Sequence, residues 1–209
     1  MSRILVDQIR SNSASADALT LDGSGNLTIP GNLTCSGNTT LSGDASLSGT
    51  GTGFGIGGKI LQVVSTTKSD TFSTSSGSFT DVTGLNATIT PANASNKVLV
   101  LVHVSGNCDQ NSRVNMRLLR ASTTIGMGDA YSNRSRTFGG IYAPNNADTT
   151  ETVSCVHLDS PSTTSATTYK IQITFGSPAT IYINRSDNWS DSATHNTGTS
   201  SITLLEVAA

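Results

Sequence analysis

Apolar positions along this chain recur with a period of two. Tyr169, Ile171, Ile173 and Phe175 alternate with Lys170, Gln172 and Thr174, the pattern of a strand with one face in a core and one in water. The same reading predicts strands over 60–64, 70–72, 79–82, 86–90, 97–104, 113–120, 150–158, 168–175, 179–184 and 201–207. Turn-forming stretches such as Ser73 to Ser78 and Pro91 to Asn96 separate them. One segment breaks the alternation. In Lys97 to Val104, Val98, Val100, Val102 and Val104 share one face, and Leu99, Leu101 and His103 share the other. A strand that is apolar on both sides needs two covers. One is its own core, and a neighbouring subunit is the economical second. About eight to ten strands in about 150 residues is the size of a jelly-roll-like β-sandwich.

A different period governs the N-terminal part. Glycines fall at 25, 31, 37, 43, 49 and 55, giving GNLTIP, GNLTCS, GNTTLS, GDASLS and GTGTGF. The third and fifth positions hold Leu27, Leu33 and then Ile29, Cys35, Leu41, Leu47. Both columns share one parity, so in an extended chain they face the same way while Thr28, Thr34, Thr40 and Ser46 face water. So thin a stripe buries too little to offset its ordering entropy alone. Winding around identical copies supplies the missing layer, with these six residues packed about a threefold axis. A Gly/Ser linker is the plain alternative, but a linker has no use for spaced Leu, Ile and Cys. The columns fade from Thr50 to Gly58, which reads as a neck. The division expected is an attachment segment over 1–18, a shaft and neck over 19–58, and a β-sandwich over 59–209.

Composition strengthens the all-β reading. Ser and Thr number 31 each, Gly 20 and Asn 16, while only two residues are Glu. Residues that build helix surfaces are scarce, and those of strands and tight turns abound. The net charge of −2 argues against nucleic acid, which needs a clustered basic surface. No apolar run approaches the length of a transmembrane helix and Met1 to Arg10 lacks a signal-peptide core, so synthesis in a reducing cytosol and no membrane insertion are expected. Cys35, Cys108 and Cys155 form no metal or disulfide pattern and read as small buried hydrophobes. Cys108 and Cys155 could pair if their strands were neighbours.

Little in the chain suggests chemistry. Glycoside hydrolysis needs two carboxylates at a set separation. Glu151 sits at a strand start, Glu206 lies near the C-terminus, and Asp129, Asp148, Asp187 and Asp191 fall in turn-rich loops. His103 and His157 fall within strands, and no Gly-x-Ser-x-Gly elbow occurs. No catalytic residue, metal site or cofactor is expected, and the chain is read as non-enzymatic. A binding role suits the loops better. Trp189, the only tryptophan, lies among Asp187, Asn188, Asp191 and His195. If exposed, its ring would stack on a sugar face while the neighbouring polar groups bond hydroxyls; a buried plug is the other use of such a residue. Tyr131, Arg134 and Tyr142 in further loops complete the candidate receptor-binding set, with Arg136 a further cation beside them.

The order of parts resembles trimeric fibre proteins of tailed phages, especially those of marine and cyanobacterial hosts. Ile4-Leu-Val-Asp-Gln-Ile9 and Leu19-Thr-Leu-Asp-Gly-Ser-Gly-Asn-Leu-Thr-Ile29 are similar to their N-terminal segments. Gly58 to Val64, Ala179 to Arg185 and Ser201 to Val207 are similar to parts of their heads. The resemblance implies a homotrimer in the virion, made in the bacterial host's cytoplasm. Its N-terminus, through Ile4, Leu5, Val6 and Ile9, would dock on other virion proteins, and its head would meet a host-surface glycan or protein. A capsid-decorating fibre without a receptor role fits the same parts; a polysaccharide-degrading spike fits them less well.

Overall fold

The structure is a computed structural model that describes residues 8–9, 19–21, 23–24, 26–29, 36, 59–109, 112–142 and 148–209. The chain divides into two units between Phe54 and Gly55. Among the described residues every regular element is a strand.

In the first unit β1 (Gln8–Ile9), β2 (Leu19–Leu21) and β3 (Leu27–Thr28) form an antiparallel meander. Gln8 lies opposite Thr20, Ile9 opposite Leu19, and Leu21 opposite Leu27. These pairs are made within one chain. Leu27 is 56% exposed and Ile29 half-buried. The other expected shaft positions, Leu33, Cys35, Leu41 and Leu47, and the attachment residues Ile4, Leu5 and Val6, lie outside the described residues.

The second unit is a β-sandwich. Its strands are β4 (Ile60–Lys68), β5 (Phe72–Thr74), β6 (Thr80–Ile89), β7 (Lys97–Cys108), β8 (Arg113–Arg120), β9 (Thr123–Ile125), β10 (Gly139–Tyr142), β11 (Glu151–Asp159), β12 (Thr167–Phe175), β13 (Ile181–Ile183) and β14 (Ser200–Val207). One sheet runs β4–β14–β7–β11, with β13 and β5 continuing from the far end of β7. The other runs β10–β8–β12–β6, with β9 paired to β8. All pairings are antiparallel. The chain passes from one sheet to the other at β5 to β6, β6 to β7, β7 to β8, β10 to β11, β11 to β12 and β12 to β13.

The core lies between the sheets. Val98, Val100, Val102 and Val104 from β7, with Ile202 and Leu204 beside them on β14, meet Met116 and Leu118 of β8 and Tyr169, Ile171 and Ile173 of β12 within one buried cluster. A polar tie joins the sheets at one end. Arg120 at the end of β8 donates from Nη1 to both oxygens of Asp159 on β11, at 2.9 and 3.0 Å. The Tyr169 hydroxyl of β12 donates to the same carboxylate at 2.6 Å. Burial first, and that bond second, raise the Tyr169 hydroxyl well above its ordinary pKa.

Two expectations need correction, and the cysteine pairing left open is settled. The segments 79–82 and 86–90 are one strand, β6, because Gly84 takes a φ of +82° and lets the strand pass through an irregularity in its pairing with β12 instead of ending. Tyr142 is not in a loop: it ends β10, an edge strand paired to β8. Cys108 and Cys155 do lie on neighbouring strands, but the register sets Cys155 opposite Val102, and no disulfide joins them. Cys155 is held by burial above the usual thiol pKa.

Candidate functional site

The longest loop among the described residues of the sandwich connects β13 to β14, and its two ends are tied to the core. Asn184 is fully buried with φ of +62°, a left-handed conformation that asparagine tolerates better than most residues. Its amide Nδ2 donates to the carbonyls of Lys68 at 2.8 Å and Asp70 at 2.9 Å. Its Oδ1 accepts from the Ser200 hydroxyl at 2.6 Å, so one side chain clamps both ends of the loop and the end of β4. A bridge between Arg185 and Thr197 and the bond from Gly198 N to Asn184 O close the neck. The loop is therefore a braced excursion, stiff where it leaves the sheet.

Its tip holds an open hollow of about 350 Å³ lined by Trp189, Ser190, Asp191, Ser192, His195 and Thr197. Trp189 is 53% exposed, so it does not plug a core. One face of the ring is covered by the Arg185 guanidinium, 5.1 Å from a ring centroid, and the same cation lies 4.0 Å from the Tyr182 ring. Arg185 also donates to the carbonyls of Ser186 and Asp187. This stack of Tyr182, Arg185 and Trp189 holds the indole in place. Asp187 accepts from the Tyr182 hydroxyl, whose pKa is raised chiefly by burial and then by that carboxylate.

Asp148 arrives from a distant part of the chain. Its Oδ1 accepts from Asn188 Nδ2 at 3.1 Å and lies 3.3 Å from His195 Nε2. Ser190, His195 and Asp148 thus stand in contact in that order. His195 Nδ1 is 2.9 Å from the Ser190 carbonyl and 3.2 Å from the Ser190 hydroxyl. A carbonyl and a carboxylate only accept, so with its hydrogen on Nδ1 the ring closes the turn from Ser190, and with it on Nε2 the ring donates to Asp148. Among the described residues no group of three His, Cys, Asp or Glu side chains is placed to hold a metal ion.

The remaining candidates stand elsewhere on the sandwich. Tyr131 is 67% exposed, with Arg134 4.9 Å from its ring centroid. Tyr142 is half exposed beside Arg113, 5.6 Å away. None of Tyr131, Arg134 and Tyr142 is among the described residues that line the hollow. Sequence reasoning missed Arg185, Tyr182, Asp148 and Thr197. Tyr182 carried a weak signal, being the outward residue between Ile181 and Ile183; Asp148 carried none, since 40 positions separate it from Asn188.

No family model and no curated protein matches the chain. Among solved structures it is similar to the tripod (BppUct-A-L) from the baseplate of bacteriophage Tuc2009, at 13% identity and a TM-score of 0.32, covering 90% of this chain and 83% of that one. A likeness so slight carries no argument about fold or role.

Proposed function

We propose that the chain is a non-enzymatic structural fibre protein of a tailed-phage virion. It assembles as a homotrimer, attaches to other virion proteins through Ile4, Leu5, Val6 and Ile9, and presents the sandwich as a head that recognises a host-surface glycan or protein. The observation that carries this reading is the outer face of the β4–β14–β7–β11 sheet. Register places Val63, Leu205, Leu99 and Leu158 in one row across it, and Ser65, Thr203, Leu101 and Val156 in the next. Val63 is 58% exposed, Val156 64% and Leu158 48%. The third row, Thr67, Ser201, His103 and Ser154, is polar without a carboxylate, lysine or arginine. A contiguous apolar face of this kind is what one protomer offers another.

Identical copies are favoured because the six-residue repeat, which needs copies of itself to bury its stripe, ends in sequence just before β4 begins. Receptor recognition falls to the braced loop, where Trp189 offers an aromatic face beside the carboxylates and amides of Asp187, Asn188 and Asp191, with His195 behind them.

Light scattering on the full chain tests the assembly: a mass near three times 21.5 kDa is expected, and the mass of a single chain would overturn it. Purified protein added to host cells before the phage tests the recognition. Infection should fall with the wild type and recover with Trp189→Ala. A trimer that does not compete would leave a structural fibre without a receptor role.

A further inference from the structure

A second concavity lies away from the Trp189 loop, on the outer face of the β10–β8–β12–β6 sheet. It measures about 570 Å³, within the range of small-molecule sites. Its floor is Thr174 and Asn115, opposite one another on β12 and β8. Phe79, Arg117 and Arg136 also line it, as does Phe175, whose ring packs against the core.

The two arginines are held but not neutralised. Arg117 lies 4.1 Å from the Phe79 ring centroid and donates from Nε to Gln172 Oε1 at 2.8 Å. The amide of Gln172 turns the other way, to Asp81, which is already paired with Lys170 at 2.8 Å. Arg136 donates from Nε to the Gly128 carbonyl at 2.6 Å, and among the described residues no side-chain bond to its Nη groups is seen. Among the described residues neither arginine is within ion-pair distance of a carboxylate. Thr174 supplies an independent sign. It is 7% exposed, and its hydroxyl is the one buried side-chain oxygen or nitrogen among the described residues that lacks a hydrogen-bond partner. Buried hydroxyls are almost always bonded, so an orphan in the floor of a groove marks a missing partner.

We propose that this groove binds an acidic saccharide: the carboxylate of a uronic acid is taken between Arg117 and Arg136, a sugar ring packs on Phe79, and Asn115 and Thr174 bond its hydroxyls. Two planar guanidinium groups match a carboxylate in a way that a point charge does not. The choice of a saccharide rests on the surface-recognition reading above; the demand for an anion rests on the groove alone.

Calorimetric titration of the full chain with a galacturonic acid hexamer and with its methyl ester tests the proposal. The acid should bind and the ester should not. Arg136→Gln, at an exposed position outside the sheets, and Arg117→Gln should each weaken binding about tenfold or more, as expected for a lost charged hydrogen bond. Trp189→Ala should leave it unchanged. Equal binding of acid and ester, no binding of either, or acid binding untouched by both arginine variants would overturn the groove. Loss of binding in Trp189→Ala alone would assign the acid to the loop instead. The trimer mass and the infection competition do not depend on Arg117 or Arg136, so the groove and the fibre reading fail separately.

Discussion

The two outer faces of the sandwich obey the same alternation and present opposite chemistry. Inward, β7 and β14 contribute valines, isoleucine and leucine to the core much as β8 and β12 do. Outward, the β4–β14–β7–β11 face is apolar and uncharged over its first two rows. The β10–β8–β12–β6 face reads Lys170 beside Asn86, Gln172 between Asp81 and Arg117, Thr174 beside Asn115, and Arg113 beside Tyr142. A fold needs only the inward set. The outward set is free to differ, and where it is apolar on one face and cationic on the other, we propose different partners for the two faces: another copy of the chain for the first, an anionic ligand for the second. Neither assignment follows from the other, so each can be broken alone.

The largest effect should come from charging the apolar face. Leu101 and Val156 lie opposite one another on β7 and β11, and both point away from the core. An aspartate at either site meets water in a lone protomer but is buried without a counter-charge between protomers, a cost of several kcal/mol. Leu101→Asp or Val156→Asp should therefore reduce the mass of the full chain to about 21.5 kDa while circular dichroism keeps its β signature. Thr88→Asp, on the other face, should leave the mass as it was. If Thr88→Asp also dissociates the protein, the two faces are not different in kind.

How far this contrast was legible in the sequence depended on how local each cause is. The double apolarity of Val98 to Val104 announced the exposed face, because strand period alone sorts valines from leucines. The same local reading located nearly every long strand. It missed β10, where Gly139-Gly-Ile-Tyr142 offers a single inward side chain, Ile141, and it split β6 at a glycine that the strand runs through. It also could not assemble the sites. Trp189 and its neighbours were visible as an aromatic in a polar loop, but Asp148, Lys68 and Asp70 reach that loop only through the fold. The groove was less visible still: Phe79, Arg117, Arg136 and Thr174 come from separate parts of the chain and meet only when β6, β12 and β8 pair in register.

A middle-sized effect, common to both faces, separates stability from surface. Asp159 is 7% exposed along its side chain and joins the sheets through Arg120 and Tyr169. Asp159→Ala strands both partners and should cost about 3 kcal/mol, or roughly 6–12 °C in melting temperature, without altering assembly or ligand binding. Tyr169 adds a pH signature. Its folded pKa is raised above the unfolded value of 10.0, so its contribution is complete below pH 10 and is lost as pH rises beyond it, by about 1.4 kcal/mol per pH unit. Urea unfolding from pH 9 to 11 should show that slope in the wild type and a shallower one in Tyr169→Phe. An equal slope in both would place the alkaline loss elsewhere.

The smallest effect should come from the cationic face, and its smallness is informative. Asp81 is half exposed along its side chain, and its carboxyl is held below the ordinary 3.8, first by the Lys170 hydrogen bond and then by that from Gln172, against the cost of its slight burial. A depressed folded pKa contributes stability above 3.8 that is lost as pH falls through the folded value. Exposure and solvent screening keep the contribution slight. Asp81→Asn retains an acceptor for Gln172 and should change stability by no more than about 0.5 kcal/mol near neutral pH, measured by urea unfolding. It removes the carboxylate nearest to Arg117 across the Gln172 bridge, so binding of the galacturonic acid hexamer should strengthen slightly while the mass stays that of the wild type. A change in mass instead would mean that this face, too, is covered by another protomer. Lys170 and Arg117 would then be interface residues and the groove between Phe79 and Arg136 would be closed to a sugar.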